Sequence, residues 1–199
     1  MNHLIGQGFS QHLARACCWA VAVSVLPPLQ HLVRASVPGQ VWATDFQFDS
    51  DWKGRVFKVC NVIDEFTRQH LALRVERRMG AVDVIEMLDL AVLTHGAPQV
   101  LRADNGLEFI AAGVGRWDSE HDTLQAFIPP GQPWHNGFVE SLHNRMRDEL
   151  LEDNMFEDLD HARALISAWS RRYNEEYPHS ALGWLSPNQY ARQWAQHHQ

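Results

Sequence analysis

The sequence predicts an α/β fold, a mixed five-stranded sheet flanked by helices, and three observations carry that reading. Three β-rich runs follow one another between residues 41 and 75, joined by polar turns. Two further short apolar runs, QVLRAD and LQAFIPP, each adjoin a helical stretch. Beyond residue 139, apolar residues recur at helical spacing rather than in alternation. With 199 residues, 45% hydrophobic and 21% charged, the chain can bury one good core, which excludes wholesale disorder.

The elements follow in order. VWATDFQFD alternates Val41, Ala43, Asp45, Gln47 and Asp49 with Trp42, Thr44, Phe46 and Phe48, a pattern expected to bury one face and show the other. RVFKVCNVID (55–64) and HLALRV (70–75), joined by EFTRQ, continue as antiparallel hairpins. AVDVIEMLDLAVLTHG (81–96) is helical with a glycine stop. QVLRAD is a short buried strand, followed by a helix and then the strand LQAFIPP. Val139, Leu142, Met146 and Leu150 form the buried stripe of one helix. Leu159, Ala162, Ile166, Trp169 and Tyr173 form the stripe of a second, with Asp158 as its N-cap. The order of three strands, helix, strand, helix, strand and then helices is that of a mixed sheet with helices packed on it.

The first forty residues read differently. ACCWAVAVSVL (16–26) is a continuous apolar run stopped by Pro27 and Pro28, too short to span a bilayer but of signal-core length. A short buried helix, or an unnatural N-terminus left by truncation or a misplaced start, is the plainer reading, since no small-x-small cleavage site follows directly. ASVPGQ (35–40) reads as a linker. The expected division is an N-terminal extension over 1–38, a core over 39–192 and a tail over 193–199.

Composition narrows the function classes. A net charge of −7 argues against coating nucleic acid by bulk charge, though not against a local basic surface or an acidic, metal-holding site. Cys17, Cys18 and Cys60 are too few and wrongly spaced for a disulfide framework or a zinc site, so a reducing interior is the simplest setting.

Three acids stand out by position. Asp45 lies in the first strand, Asp104 ends the fourth, and Glu140 opens a helix after 35 intervening residues. Asn105-Gly106 after Asp104 is an ordinary turn signal in itself. In the deduced order the first and fourth strands can be neighbours, and the helix can lay Glu140 across their ends. Converging carboxylates repel and raise one another's pKa unless divalent cations neutralise them. Hard oxygen ligands suit Mg²⁺ or Mn²⁺ rather than zinc. Two such ions about 3.5 to 4 Å apart serve phosphoryl transfer. Asn144 and Arg147 fall within about 40° of Glu140 on the same helix, a polar and basic line suited to a phosphate backbone. A solvated face with i,i+4 pairing is the plainer alternative.

From about Gln40 to Ala191, the motifs QVWATDF, NVIDEFTR, RADNGLEF, PGQPWHNGFVESLHNRMRDELL and YNEEYPHSALGWLSPNQYA occur in that order. With the acid spacing, they resemble the catalytic domain of bacterial insertion-sequence transposases in the retroviral-integrase (DDE) superfamily. The resemblance implies a ribonuclease H-like fold, and metal-dependent cleavage at transposon ends followed by strand transfer. It implies two Mg²⁺ or Mn²⁺ ions at Asp45, Asp104 and Glu140. The implied partners are DNA (element ends and target), further copies of the chain on that DNA, and a separate helix-turn-helix protein, with no membrane. The implied setting is the bacterial cytoplasm, on the nucleoid when bound to DNA.

The sequence departs from the family at Leu107, where proline is usual, and at Tyr177, where arginine commonly precedes Pro178. No helix-turn-helix is recognisable in residues 1–40, nor a His-His-Cys-Cys zinc module. A non-catalytic remnant or regulator is therefore an alternative reading, and a ribonuclease H-like nuclease acting on hybrids or junctions a third. Among single residues, Asp64 competes with Asp45 but reads better as a hairpin turn. Glu108 either reaches the metal or supports the following helix, the commoner role. His135 and His143 are too far apart to form a one-face helical metal pair. Trp134 either stacks on a base or packs beneath its loop, and His135 touches substrate or is merely solvated. His179 is either structural or a contact to the DNA backbone.

Overall fold

A computed structural model describes residues 34–104, 106–110, 112–128 and 136–198, apart from the side chains of Leu107, Ile110 and Ala112. The apolar run 16–26, Cys17, Cys18, Trp134 and His135 lie outside those residues. Five strands form one sheet: β1 (Val41–Ser50), β2 (Val56–Asp64), β3 (His70–Glu76), β4 (Val100–Ala103) and β5 (Leu124–Phe127). Their spatial order is β3-β2-β1-β4-β5. The β1–β2 and β2–β3 pairs are antiparallel hairpins, whereas β4 and β5 join in parallel. The switch follows from the connections: short polar turns reverse the first strands, and helical crossovers return the chain for the last two.

The helices are α1 (Ala81–His95), α2 (Leu107–Ile110), α3 (Ala112–Glu120), α4 (Gly137–Met146), α5 (Leu159–Glu176) and α6 (Pro187–His197). Gly96 ends α1 at φ 78°, a left-handed turn that glycine makes without steric penalty. α4 and α5 bury the predicted stripes against the face of the sheet that carries Ala43, Val59 and Ile63. α1 and α3 cover the opposite face, where Trp42, Cys60, Val62 and Leu101 pack against Met87, Leu88 and Trp117.

The two-sided cover corrects the expectation that β1 shows one face. Both Trp42 and Ala43 are fully buried, because β1 is the central strand and helices lie on both sides of it. Polar residues concentrate instead in its second half, where β4 has ended. Asp158 caps α5 as predicted, accepting the His161 N–H at 2.9 Å. α4 is shorter than its apolar stripe suggests, because the chain widens into a π turn over Arg147–Leu151 that turns both Leu150 and Leu151 inward. The linker at 35–40 is docked, with Ala35 packed against Val41 and Val100. α6 begins with a capping box between Ser186 and Gln189 and has Pro187 in its first turn. Its Tyr190 and Trp194 rings pack on Phe66. Among the described residues, no helix is long and apolar enough to cross a membrane.

Candidate active site

The parallel register of β1 and β4 positions the first two acids. Val41, Trp42 and Ala43 pair with Val100, Leu101 and Arg102. The same offset, carried two residues further, sets Asp45 opposite Asp104 at the point where β4 ends. β1 continues beyond without that neighbour, so Asp45 stands at the mouth of a gap between strands. Asp104 is exposed, and its Oδ1 accepts the Gly106 N–H at 2.9 Å. A Cβ at Gly106 would meet that oxygen at 2.9 Å, so only glycine closes this turn without displacing the carboxylate. The Asn-Gly signal thus has a local reason: Gly106 holds Asp104 in place.

Glu140 comes from the first turn of α4, which the buried Val139, Leu142 and Met146 hold against β1. The three acids share one electrostatic environment. Burial holds the Asp45 carboxyl up at about 6; the charges of Asp104 and Glu140 push the same way, against the stabilising Phe46 N–H. Among the described residues, no three His, Cys, Asp or Glu side chains stand close enough to share one ion. Asp45 thus lies within the field of Asp104 and Glu140, and the three do not form one ligand shell.

Sequence reasoning missed His143. Its ring is 12% exposed and lies between Asn61 and Asp45, with Nδ1 3.8 Å from Asp45 Oδ2. Asn61 Nδ2 stands 3.0 Å from His143 Nε2, and Gln47 Nε2 donates to the His143 carbonyl at 3.0 Å. Burial, and then the Arg147 charge, hold the imidazole down at about 4, so it is neutral at pH 7. The available signal was its position three residues after Glu140, on the same helical face.

Asn144 and Arg147 line a groove of about 330 Å³ with Phe46, Phe48 and Glu140. No carboxylate among the described residues pairs with Arg147, unlike Arg145, which bonds Glu149 at 3.2 Å. Arg145 also stacks over Tyr177, its guanidinium carbon 3.8 Å from the ring centroid. The Tyr177 departure therefore carries a neighbouring arginine. His179 lines neither this groove nor the one beside it at Tyr177 and Arg145. It packs edge-on to Tyr173 and Tyr177. Asp64 accepts the Phe66 N–H at 2.7 Å and the Thr67 N–H at 3.2 Å, forming the β2–β3 turn. Glu108 is engaged by Lys58 at 2.7 Å, which ties α2 to β2 and leaves Glu108 in its supporting role.

Two family models match the chain, both described as integrase core domain: one over residues 35–133, the other over 121–187. An insertion element IS476 protein of Xanthomonas euvesicatoria is 36% identical over 162 residues, covering 81% of this chain and 47% of the relative. An insertion element IS407 protein of Burkholderia multivorans is 35% identical over 162 residues, covering 81% and 58%. The chain thus spans about half the length of these curated relatives. The transposase for insertion sequence element IS904 of Lactococcus lactis is 23% identical, covering 82% of this chain and 66% of the relative. Among solved structures, the simian T-cell lymphotropic virus intasome aligns at TM-score 0.69 and 17% identity, covering 80% of this chain and 56% of that one. The HTLV-2 integrase catalytic core domain in complex with magnesium aligns at TM-score 0.63 and 16% identity, covering 79% and 99%. The sheet order and these likenesses establish the ribonuclease H-like fold. The chain belongs to the integrase core domain family, whose two models together match residues 35–187, and its relatives are proteins of bacterial insertion elements.

Proposed function

We propose that this chain is the catalytic domain of a DNA transposase that cleaves element ends and joins them to target DNA. The observation that supports this best is the juxtaposition of Asp45 and Asp104 across parallel strands, with the Glu140 field on the same carboxyl. Three carboxylates with hard oxygen donors, two of whose charges act on the third, fit divalent cations of the Mg²⁺ or Mn²⁺ class. Asp45, Asp104 and Glu140 would hold two such ions. When bound, they supply activation of the attacking oxygen and stabilisation of the leaving one.

The protein's own residues do the rest. Asn144 and Arg147 offer an amide and a guanidinium to backbone phosphates along the groove beside Glu140. Phe48, half-exposed on the opposite wall, offers a ring face to a base. Trp134 and His135 are assigned to the same DNA surface from sequence alone. Assembly of several copies on DNA, and a helix-turn-helix partner that reads the element ends, complete the reading. The reaction belongs to the bacterial cytoplasm and the nucleoid. The test is Mg²⁺- or Mn²⁺-dependent nicking and strand transfer by the purified chain on duplex DNA carrying element ends. Activity should be lost in Asp45→Asn, Asp104→Asn and Glu140→Gln; cleavage by these variants at the wild-type rate would refute the site.

A further inference from the structure

We infer that His143 is a positioning residue for Asp45, steering its free carboxylate oxygen from a ring held at its far nitrogen by Asn61, on a backbone held by Gln47. The inference rests on the proposed cation site, because orienting Asp45 matters only where that carboxylate must meet a ligand. Of the two Asp45 oxygens, Oδ1 is fixed by the Phe46 N–H at 2.8 Å. Oδ2 is left facing His143 Nδ1 at 3.8 Å, too long for a hydrogen bond but short for a dipole acting on a charge.

The ring's direction is set from outside. Asn61 Nδ2–H donates to Nε2 at 3.0 Å, which places the imidazole proton on Nδ1, towards Asp45. The opposite assignment would aim a lone pair at a carboxylate. Gln47 Nε2–H holds the backbone of the same residue. Both amides direct their donors at residue 143, and within the described residues both leave a buried carbonyl oxygen without a partner.

Asparagine and glutamine separate the two ring nitrogens. His143→Asn keeps a donor near the Nδ1 position and loses the Asn61 contact; His143→Gln keeps a group near Nε2 and loses the donor facing Asp45. Calorimetric titration of the full chain with Mn²⁺ reads the effect, alongside the melting temperature of each variant. His143→Asn should bind Mn²⁺ within about threefold of wild type, and His143→Gln should bind about 10- to 100-fold more weakly at similar melting temperature. Asn61→Ala, which frees the ring without altering it, should also weaken Mn²⁺ binding.

The reverse order of the two residue-143 variants, or equal affinity in all three, would overturn the inference. So would a wild-type chain that binds no Mn²⁺. Tight Mn²⁺ binding with the expected variant order but no DNA cleavage would sink the transposase reading and leave the role of His143 standing.

Discussion

Replacing Asp45 by asparagine removes a charge that the metal-free fold holds unfavourably, and the size of the gain follows from the structure. The carboxyl sits at about 6 in the fold against an ordinary 3.8, chiefly through burial and then through Asp104 and Glu140. At 1.36 kcal/mol per pH unit, that difference corresponds to about 3 kcal/mol. The side chain is 24% exposed, so residual solvent contact trims the figure to about 2 kcal/mol. The sign follows from proton linkage. The folded chain binds the proton more tightly than the unfolded one, so the penalty is absent below about pH 4, grows between 4 and 6, and is complete above 6. In EDTA at pH 8, Asp45→Asn should therefore be more stable than wild type, with a melting temperature higher by about 4 to 8 °C for a chain of this size. The advantage should vanish near pH 4. Urea or thermal melts of both proteins at pH 4, 6 and 8 measure it. An asparagine variant that is equally stable or less stable at pH 8 would refute the claim that the fold strains this carboxylate.

Two further predictions concern the surface and the core. Arg147→Ala should weaken DNA binding and lower the slope of log affinity against log salt by about one, the signature of one lost phosphate contact in a salt titration. His70 opens β3 and is buried edge-on to Trp169, and burial, with His143 second, holds it down at about 3. It stays neutral in the fold, while the unfolded chain takes up a proton below about 6.5, so its contribution to stability falls as pH drops through that window. His70→Leu should flatten the loss of stability between pH 6.5 and 4, seen as a smaller spread of melting temperatures.

Much of this was legible because the signals were local. Alternation marked β1, the 3,4-spaced stripes marked α4 and α5, and Asp158 announced its helix by the N–H groups it would cap. Asp45 and Asp104 could be placed together because short hairpins and a helical crossover leave few ways to order the strands. What sequence missed was non-local. The burial of both faces of β1 depends on its being the central strand, which no pattern within VWATDFQFD records. The contact between Asn61 and His143 joins residues 82 apart, and only the strand register and the seating of α4 bring them together. Tyr177 looked like a lost charge, and the fold stacks Arg145 upon it. The start of α6 is a different case: Ser186, Pro187 and Gln189 carry a local capping signal that sequence could have supplied.

The central claim is that Asp45, Asp104 and Glu140 act on one another as a single site. Carbon-detected NMR titration of the Asp45 carboxyl, without metal, tests it most directly. The midpoint should lie near 6 in wild type and fall in both Asp104→Asn and Glu140→Gln as each neighbouring charge is removed. A midpoint unmoved by either substitution would mean that the acids do not share a site.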